Sequence, residues 1–266
     1  MKRVAILQSN YIPWKGYFDF IAAVDEFIIY DEVQFTRRDW RNRNLIKTDR
    51  GQMWLTVPVM SKGLYTQTIN ATRIANHDWQ SRHWHALATH YCHAPYFDKI
   101  AAWLEPLYRA QHDLLAGTNR VFLNGICQYL GINTLVTDCR QYALIEGKTE
   151  RLVSLCKQAG ADVYVSGPAA KVYLDEGQFS AAGIAVEWFN YDGYPEYPQL
   201  WDGFVHDVSV LDLLFNCGAD APKYMKTCPL NKAKRAHTAV ACCTDDDVVV
   251  DSDVQPLSGV DNIARQ

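Results

Sequence analysis

Three observations predict an α/β fold with a mostly parallel sheet and a helical insertion. The chain opens with the short apolar run Val4–Leu7, and then comes a helical pattern over Gly16–Val24. A second apolar run follows within Glu26–Asp31. This β–loop–helix–β order is repeated over residues 132–189, and alternation of that kind is how a parallel sheet with covering helices is written in sequence.

The elements follow in order. Residues 4–8 (VAILQ) read as a buried strand, because they form a near-continuous apolar run with β-branched residues. Gly16–Val24 (GYFDFIAAV) reads as a helix and residues 26–31 (EFIIYD) as the second strand. Residues Gln34–Arg50 are polar and carry five Arg and one Lys, so a loop is expected there. Met53–Val59 and Thr66–Ile74 are read as further strands, the second from its polar–apolar alternation. Helices are expected over Trp79–Tyr91, with Asp78 as cap, Ile100–Leu115 and Asn119–Leu130. Residues 132–138 form the next strand and Glu150–Ala159 an amphipathic helix stopped by Gly160. Val163–Val165 and Ile184–Phe189 complete the strands, and Asp207–Phe215 is a helix with Val208, Leu211, Leu214 and Phe215 on one face.

Composition narrows the function classes. Among 266 residues, 26 Lys and Arg stand against 30 Asp and Glu, so the chain is not a general nucleic-acid binder. No apolar stretch approaches the roughly 18 residues of a membrane span, and the apolar run at the start is too short for a secretory signal, so a cytoplasmic location is expected. The eight cysteines form no C-x-x-C pair and read as small apolar residues, not as a disulfide framework. His77, His83, His85, His90 and His93 crowd one stretch, yet no H-E-x-x-H is present, and no metal site is expected. After about Thr227 the aromatic residues and the periodicity stop, and residues 245–253 carry five Asp. Residues 229–266 therefore read as a weakly ordered acidic extension.

Four constellations carry the site expectation. Gln8, Asn10, Tyr11 and Trp14 lie where the first strand gives way to the first helix, and in open parallel sheets ligands bind at that end of the strands. Asp31 ends the second strand, and Gln34, Arg37, Trp40, Asn42, Arg43 and Asn44 follow it. Their guanidiniums suit phosphate or carboxylate, and Trp40 offers a stacking face. Ser166 and Gly167 end a later strand, with Tyr173 close behind. His83, on the face shared by Leu87, His90 and Tyr91, is the natural general base near neutral pH. There is no G-x-G-x-x-G, no G-x-x-x-x-G-K-[ST] and no G-x-S-x-G.

These residues also carry a resemblance. The run from Gln8 to Asn44, then LTVPV (55–59), Trp79-x3-His83, YCHAPYF (91–97), SGPAAKVYLD (166–175), YPQ (197–199) and SVLDLLFNCG (209–218) resemble the WbqC-like family. The resemblance implies a role in bacterial surface-polysaccharide (O-antigen) biosynthesis, as an acyl or aminoacyl transferase, possibly glycyl, acting on a nucleotide-linked amino sugar. It implies one α/β catalytic domain over 1–228, with the helical insertion near 78–131. Under that reading His83, tuned by Asp31, takes the amine proton. Asn10, Gln8 or the Ser166–Gly167 amides stabilise the oxyanion, and Arg37 and Arg43 hold phosphates. The acyl donor stays open among coenzyme A, a carrier-protein thioester (hence an acyl carrier protein as partner) and aminoacyl-tRNA. The same opening also resembles the Rossmann-like, nucleotidyltransferase-type folds of the pantothenate synthetases. Their H-x-G-H is absent here, where Pro13-Trp14-Lys15-Gly16-Tyr17 stands. An ATP-dependent acyl-activating ligase is accordingly the alternative, and a non-catalytic carbohydrate-binding subunit is the third.

Overall fold

The structure is a computed structural model and describes residues 1–227. The expected acidic extension at 229–266 lies outside the described residues. Seven strands and seven α-helices follow one another among the described residues. They are β1 (Arg3–Leu7), α1 (Lys15–Ala22), β2 (Glu26–Ile29), β3 (Arg43–Thr48), β4 (Gly51–Thr56), α2 (Asp78–Tyr91) and α3 (Phe97–Arg109). Then come α4 (Leu115–Tyr129), β5 (Leu135–Asp138), α5 (Thr149–Gln158), β6 (Val163–Ser166), α6 (Glu176–Ala181), β7 (Ala185–Trp188) and α7 (Val210–Cys217).

Five strands form one parallel sheet in the order β5-β2-β1-β6-β7. The expected α/β architecture is therefore present. Side chains alternate across each strand. Ala5, Phe27, Ile29 and Val165 face one core, packed by α1, α2, α3, α4 and α7. Val4, Ile6, Ile28 and Tyr164 face the other, packed by α5 and α6 through Leu152, Leu155, Cys156 and Phe179. A sheet covered on both faces needs strands that are apolar throughout, which is why VAIL, FII and VYV were readable. Helices α2, α3 and α4 stand together between β4 and β5, where the helical insertion was expected.

Two strand expectations need correction. Residues 43–48 are not loop: β3 pairs with β4 as an antiparallel hairpin, from Arg43↔Thr56 to Thr48↔Gly51. Its polar residues hid it, because Asn44 and Lys47 are buried and satisfied by tertiary partners. Asn44 donates to the carbonyls of Tyr11 and Ile12, and Lys47 to Gln199 and the Trp201 carbonyl. Conversely, residues 66–74 form no strand. Turns break them, with Ala71 N–H donating to Thr68 and Thr72 N–H to Ile69, and only isolated bridges remain at Thr68, Arg73 and Ile74. Helix ends shift as well. His77 takes the cap position ahead of Asp78, α3 runs from Phe97 to Arg109, α4 begins at Leu115, and Ser209 caps α7 by accepting from Leu211 N–H.

Candidate functional site

The strand order reverses direction at β1 and β6: from β1 the chain builds outward to β2 and β5, and from β6 outward to β7. The carboxyl ends of two such strands diverge and leave a crevice. A cavity of about 290 Å³ occupies it. Gln8 follows β1 in its wall, and Ser166 and Gly167 close β6 there. Tyr173 also lines it, so four of the residues expected from sequence meet in this cavity.

The structure adds residues that the sequence reading missed. Tyr30, Tyr191, Lys148 and Arg151 line the same cavity. The legible signal was Gly147-Lys148-Thr149 at the start of α5, a fragment of a phosphate-loop pattern without its first glycine. Arg151 is held in place by donating to the Ile145 carbonyl and, at 3.4 Å, to the Tyr30 hydroxyl. Burial pushes the Tyr30, Tyr164, Tyr173 and Tyr191 phenols up from their ordinary range. They stay protonated at neutral pH and can donate. The Ser166 hydroxyl sits 3.5 Å from that of Tyr164.

A buried polar network supports the wall at Gln8. The Asp31 carboxylate accepts from Ser9 N–H at 2.8 Å and from the Ser9 hydroxyl at 2.7 Å. Asn119, from α4, donates to the Ser9 hydroxyl at 3.0 Å and to the Arg41 carbonyl at 2.9 Å. Arg41 in turn donates to Asn10 and, at 3.4 Å, to Gln8. Burial raises the Asp31 pKa, against the opposing pull of its two bonds from Ser9. Beside this network Ile12 has φ 41°, a left-handed value rare for a β-branched residue, and Asn44 Nδ2 clamps it by donating to its carbonyl at 3.0 Å.

His83 does not reach the cavity. Its ring is buried between the Tyr11 hydroxyl at 2.8 Å and the Thr56 carbonyl at 3.2 Å, and the Tyr11 hydroxyl also meets that of Tyr108 at 3.0 Å. Burial pushes the His83 pKa down to about 4, with the nearby Arg82 charge adding to the effect. No hydrogen bond joins His83 to Asp31. Tyr11 and Trp14 are buried too, with Trp14 packed on Tyr191 and Tyr194. Asn10 is buried on Arg41, and Asn42 donates to the Val57 carbonyl. Gln34 lies on the surface and donates to the Tyr65 carbonyl.

The expected arginine and tryptophan group forms a second cavity, of about 610 Å³. Arg37, Trp40 and Arg43 line it together with Trp54, which the sequence reading left out. The crowded histidines scatter. His85 and His93 are exposed, His90 faces Asp49 at 3.7 Å and His77 faces Asp113 at 3.8 Å. Among the described residues no three His, Cys, Asp or Glu side chains are grouped to hold a metal ion, and no helix is long and apolar enough to cross a membrane.

Comparison with known proteins places this geometry. The model of the WbqC-like protein family matches residues 8–224, a span that holds the arginine cavity and, apart from Ile6 and Leu7, the lining of the switch-point cavity. A mycobacterial relative, described as "Uncharacterized protein Rv1507c" of Mycobacterium tuberculosis, is 57% identical over 229 residues, covering 86% of this chain and 99% of that protein. No solved structure matches the chain. The match begins just after β1 and spans the arginine loop, the helical insertion and α7, and the chain belongs to the WbqC-like protein family.

Proposed function

We propose that the protein transfers an acyl or aminoacyl group to the amine of a nucleotide-linked amino sugar in bacterial surface-polysaccharide biosynthesis. The observation that carries this reading is the cavity at the divergence of β1 and β6. Its wall combines cations for a diphosphate (Lys148, Arg151), aromatic faces for a sugar or base (Tyr173, Tyr191), and neutral donors at the strand ends (Gln8, Ser166). Attack of the amine on the donor carbonyl forms the C–N bond and puts negative charge on the carbonyl oxygen, and Gln8, Ser166 and the Gly167 amide are the donors that meet it. Collapse breaks the bond to the donor's thiol or hydroxyl, and that leaving group carries away the amine proton. His83 and Asp31 act from behind the wall. The His83 ring fixes Tyr11, and Asp31 fixes Ser9, so both residues position the loop after β1.

The test is product formation. The chain is incubated with UDP- or dTDP-linked amino sugars and acyl donors, and the mixture is read by mass spectrometry. A mass gain on the sugar nucleotide that depends on Arg151 is expected. No gain with any donor class would overturn the assignment.

A second reading, the acyl-activating ligase, is favoured by Gly147 and Lys148, which line the same cavity just ahead of Thr149. It differs in requiring ATP: the carboxylate attacks the α-phosphate and expels pyrophosphate, and an amine acceptor then displaces AMP. Pyrophosphate release with ATP and a carboxylic acid, followed by AMP release once the amino sugar is added, would replace the first reading with this one.

A further inference from the structure

We propose that the cavity walled by Arg37, Trp40, Arg43 and Trp54 is a second ligand site, and that it binds the phosphorylated adenosine end of a coenzyme A-type donor. The inference rests on the two-substrate transferase reading above and names the donor that reading leaves open.

The first argument is shape. The cavity is about 610 Å³, roughly twice the switch-point cavity, and within the range that holds a ligand of nucleotide size. Its wall is set by a rigid element. Arg43 pairs with Thr56 and Leu45 with Trp54 across the β3–β4 hairpin, which makes Arg43 and Trp54 diagonal neighbours on one face. The Arg43 guanidinium carbon lies 4.0 Å from the centre of the Trp54 ring. The Trp40 and Trp54 ring centres are 5.3 Å apart at 42°. Trp54 is nonetheless 42% exposed, so part of its aromatic surface stays open.

The second argument is charge. The guanidiniums of Arg37, Arg38 and Arg43 line the cavity, and none of them is in a salt bridge among the described residues. Each carries five N–H donors. Arg37 donates to the Ser61 carbonyl and Arg43 to the Arg38 carbonyl. The Arg43 Nε is buried with no partner. Of the two carboxylates in the wall, Asp39 faces the Arg41 guanidinium at 4.0 Å and also accepts from the Thr36 hydroxyl and from Trp40 N–H, which leaves Asp207 against the three arginines. The surplus is positive and rich in donors, and it suits an anion with several oxygens, because guanidinium forks match phosphate.

Together these features select a base joined to phosphates, and with the nucleotide sugar assigned to the switch-point cavity that ligand is the donor. A neutral sugar would leave the arginines unpaired, and a simple carboxylate would leave the tryptophans bare. The phosphopantetheine arm of a carrier protein has a phosphate but no base to stack. Coenzyme A brings an adenine and three phosphates in one compact end, which fits base stacking on aromatic side chains beside cations.

The test uses the full chain. Coenzyme A and adenosine 3′,5′-bisphosphate are titrated calorimetrically into the wild type, Trp54→Ala, Arg43→Ala and Gly167→Ala, each first checked for an unchanged melting curve. A single-stranded RNA ending in CCA is the parallel probe, and a UDP-linked amino sugar reports on the switch-point cavity separately. Both adenosine probes should bind the wild type. Their affinity should fall about tenfold or more in Trp54→Ala and in Arg43→Ala, with little change in Gly167→Ala. Binding of the UDP sugar should be indifferent to Trp54→Ala. Loss of UDP-sugar binding in every form, with coenzyme A still bound in this pattern, would remove the acceptor reading and keep the site. Failure of both adenosine probes to bind would overturn the proposal. So would binding that responds to Gly167→Ala instead of Trp54→Ala, or tight binding of the RNA alone.

Discussion

Arg41 Nη2 donates to Gln8 Oε1 at 3.4 Å, and this contact ties the wall of the switch-point cavity to the residue that follows Trp40. Gln8 is in the wall of the switch-point cavity, and Trp40, the residue before Arg41, is in the wall of the arginine cavity. The backbone repeats the link, since Tyr11 N–H donates to the Trp40 carbonyl at 3.0 Å. The ends of a donor and an acceptor held in the two cavities would thus be registered by one short segment after β1 and one arginine.

Arg41→Ala is therefore expected to cost about 2–3 kcal/mol, since it strands the buried Asn10 oxygen and removes a charged donor. Arg41→Lys should recover little, because a lysine cannot reach Asn10 and Gln8 as a planar fork. Urea unfolding of the three forms checks the order. Equal stability of Arg41→Lys and wild type would show that the fork is not what matters.

Ser9→Ala removes the hydroxyl that donates to Asp31 and accepts from Asn119, with little change in volume. The expected loss is about 1–3 kcal/mol, and the Asp31 pKa should move further up, since one of the two bonds opposing its burial is gone. Carboxyl NMR titration of Asp31 in both forms reads the shift directly.

His83 has a folded pKa of about 4 against an ordinary 6.5. Between those values the unfolded chain binds the proton and the folded one does not, so stability falls as pH falls through this window. The loss reaches at most about 3 kcal/mol. Asp31 has the opposite sign, because a raised carboxyl pKa favours the folded state at low pH. The wild type must therefore be compared with His83→Gln. From pH 7 to pH 4.5 the wild type should lose more stability than the variant. Activity separates the roles: a His83 acting as the base would make activity track its own titration, at about 4, whereas a positioning His83 would leave no such limb in the profile.

At Gly16 the Trp14 ring lies where a side chain would begin, with a Cβ falling 2.2 Å from the nearest ring atom. Alanine favours a helix over glycine by about 1 kcal/mol. Overpacking a locked interior costs about 1–3 kcal/mol or more, and Trp14 cannot yield because Tyr191 and Tyr194 hold it. Gly16→Ala is expected to destabilise, and a thermal melt at or above the wild type would show that the ring moves aside.

The parallel sheet was legible because both faces are covered, leaving VAIL and FII no polar positions. The hairpin was not, since Asn44 and Lys47 are buried polar residues whose partners come from distant segments. The strand ends that carry Gln8, Ser166 and Gly167 could be placed on general grounds. The division of the expected residues between two cavities could not, because it depends on the β3–β4 register. His83 was read from its helical face alone, which shows neither Tyr11 nor Thr56 above it. Arg41 was passed over among its neighbouring arginines, although it is the buried one.

The most direct measurement is the binding of a UDP- or dTDP-linked amino sugar to wild type and Gly167→Ala. A Cβ on Gly167 would meet only the Tyr191 ring, at 3.8 Å, so the substitution fits the fold and puts its methyl group into the switch-point cavity. The expected result is saturable one-site binding to the wild type, weakened about tenfold or more in a variant that melts at the same temperature. No binding to the wild type, or equal affinity in the two forms, would contradict the assignment of that cavity as the acceptor site.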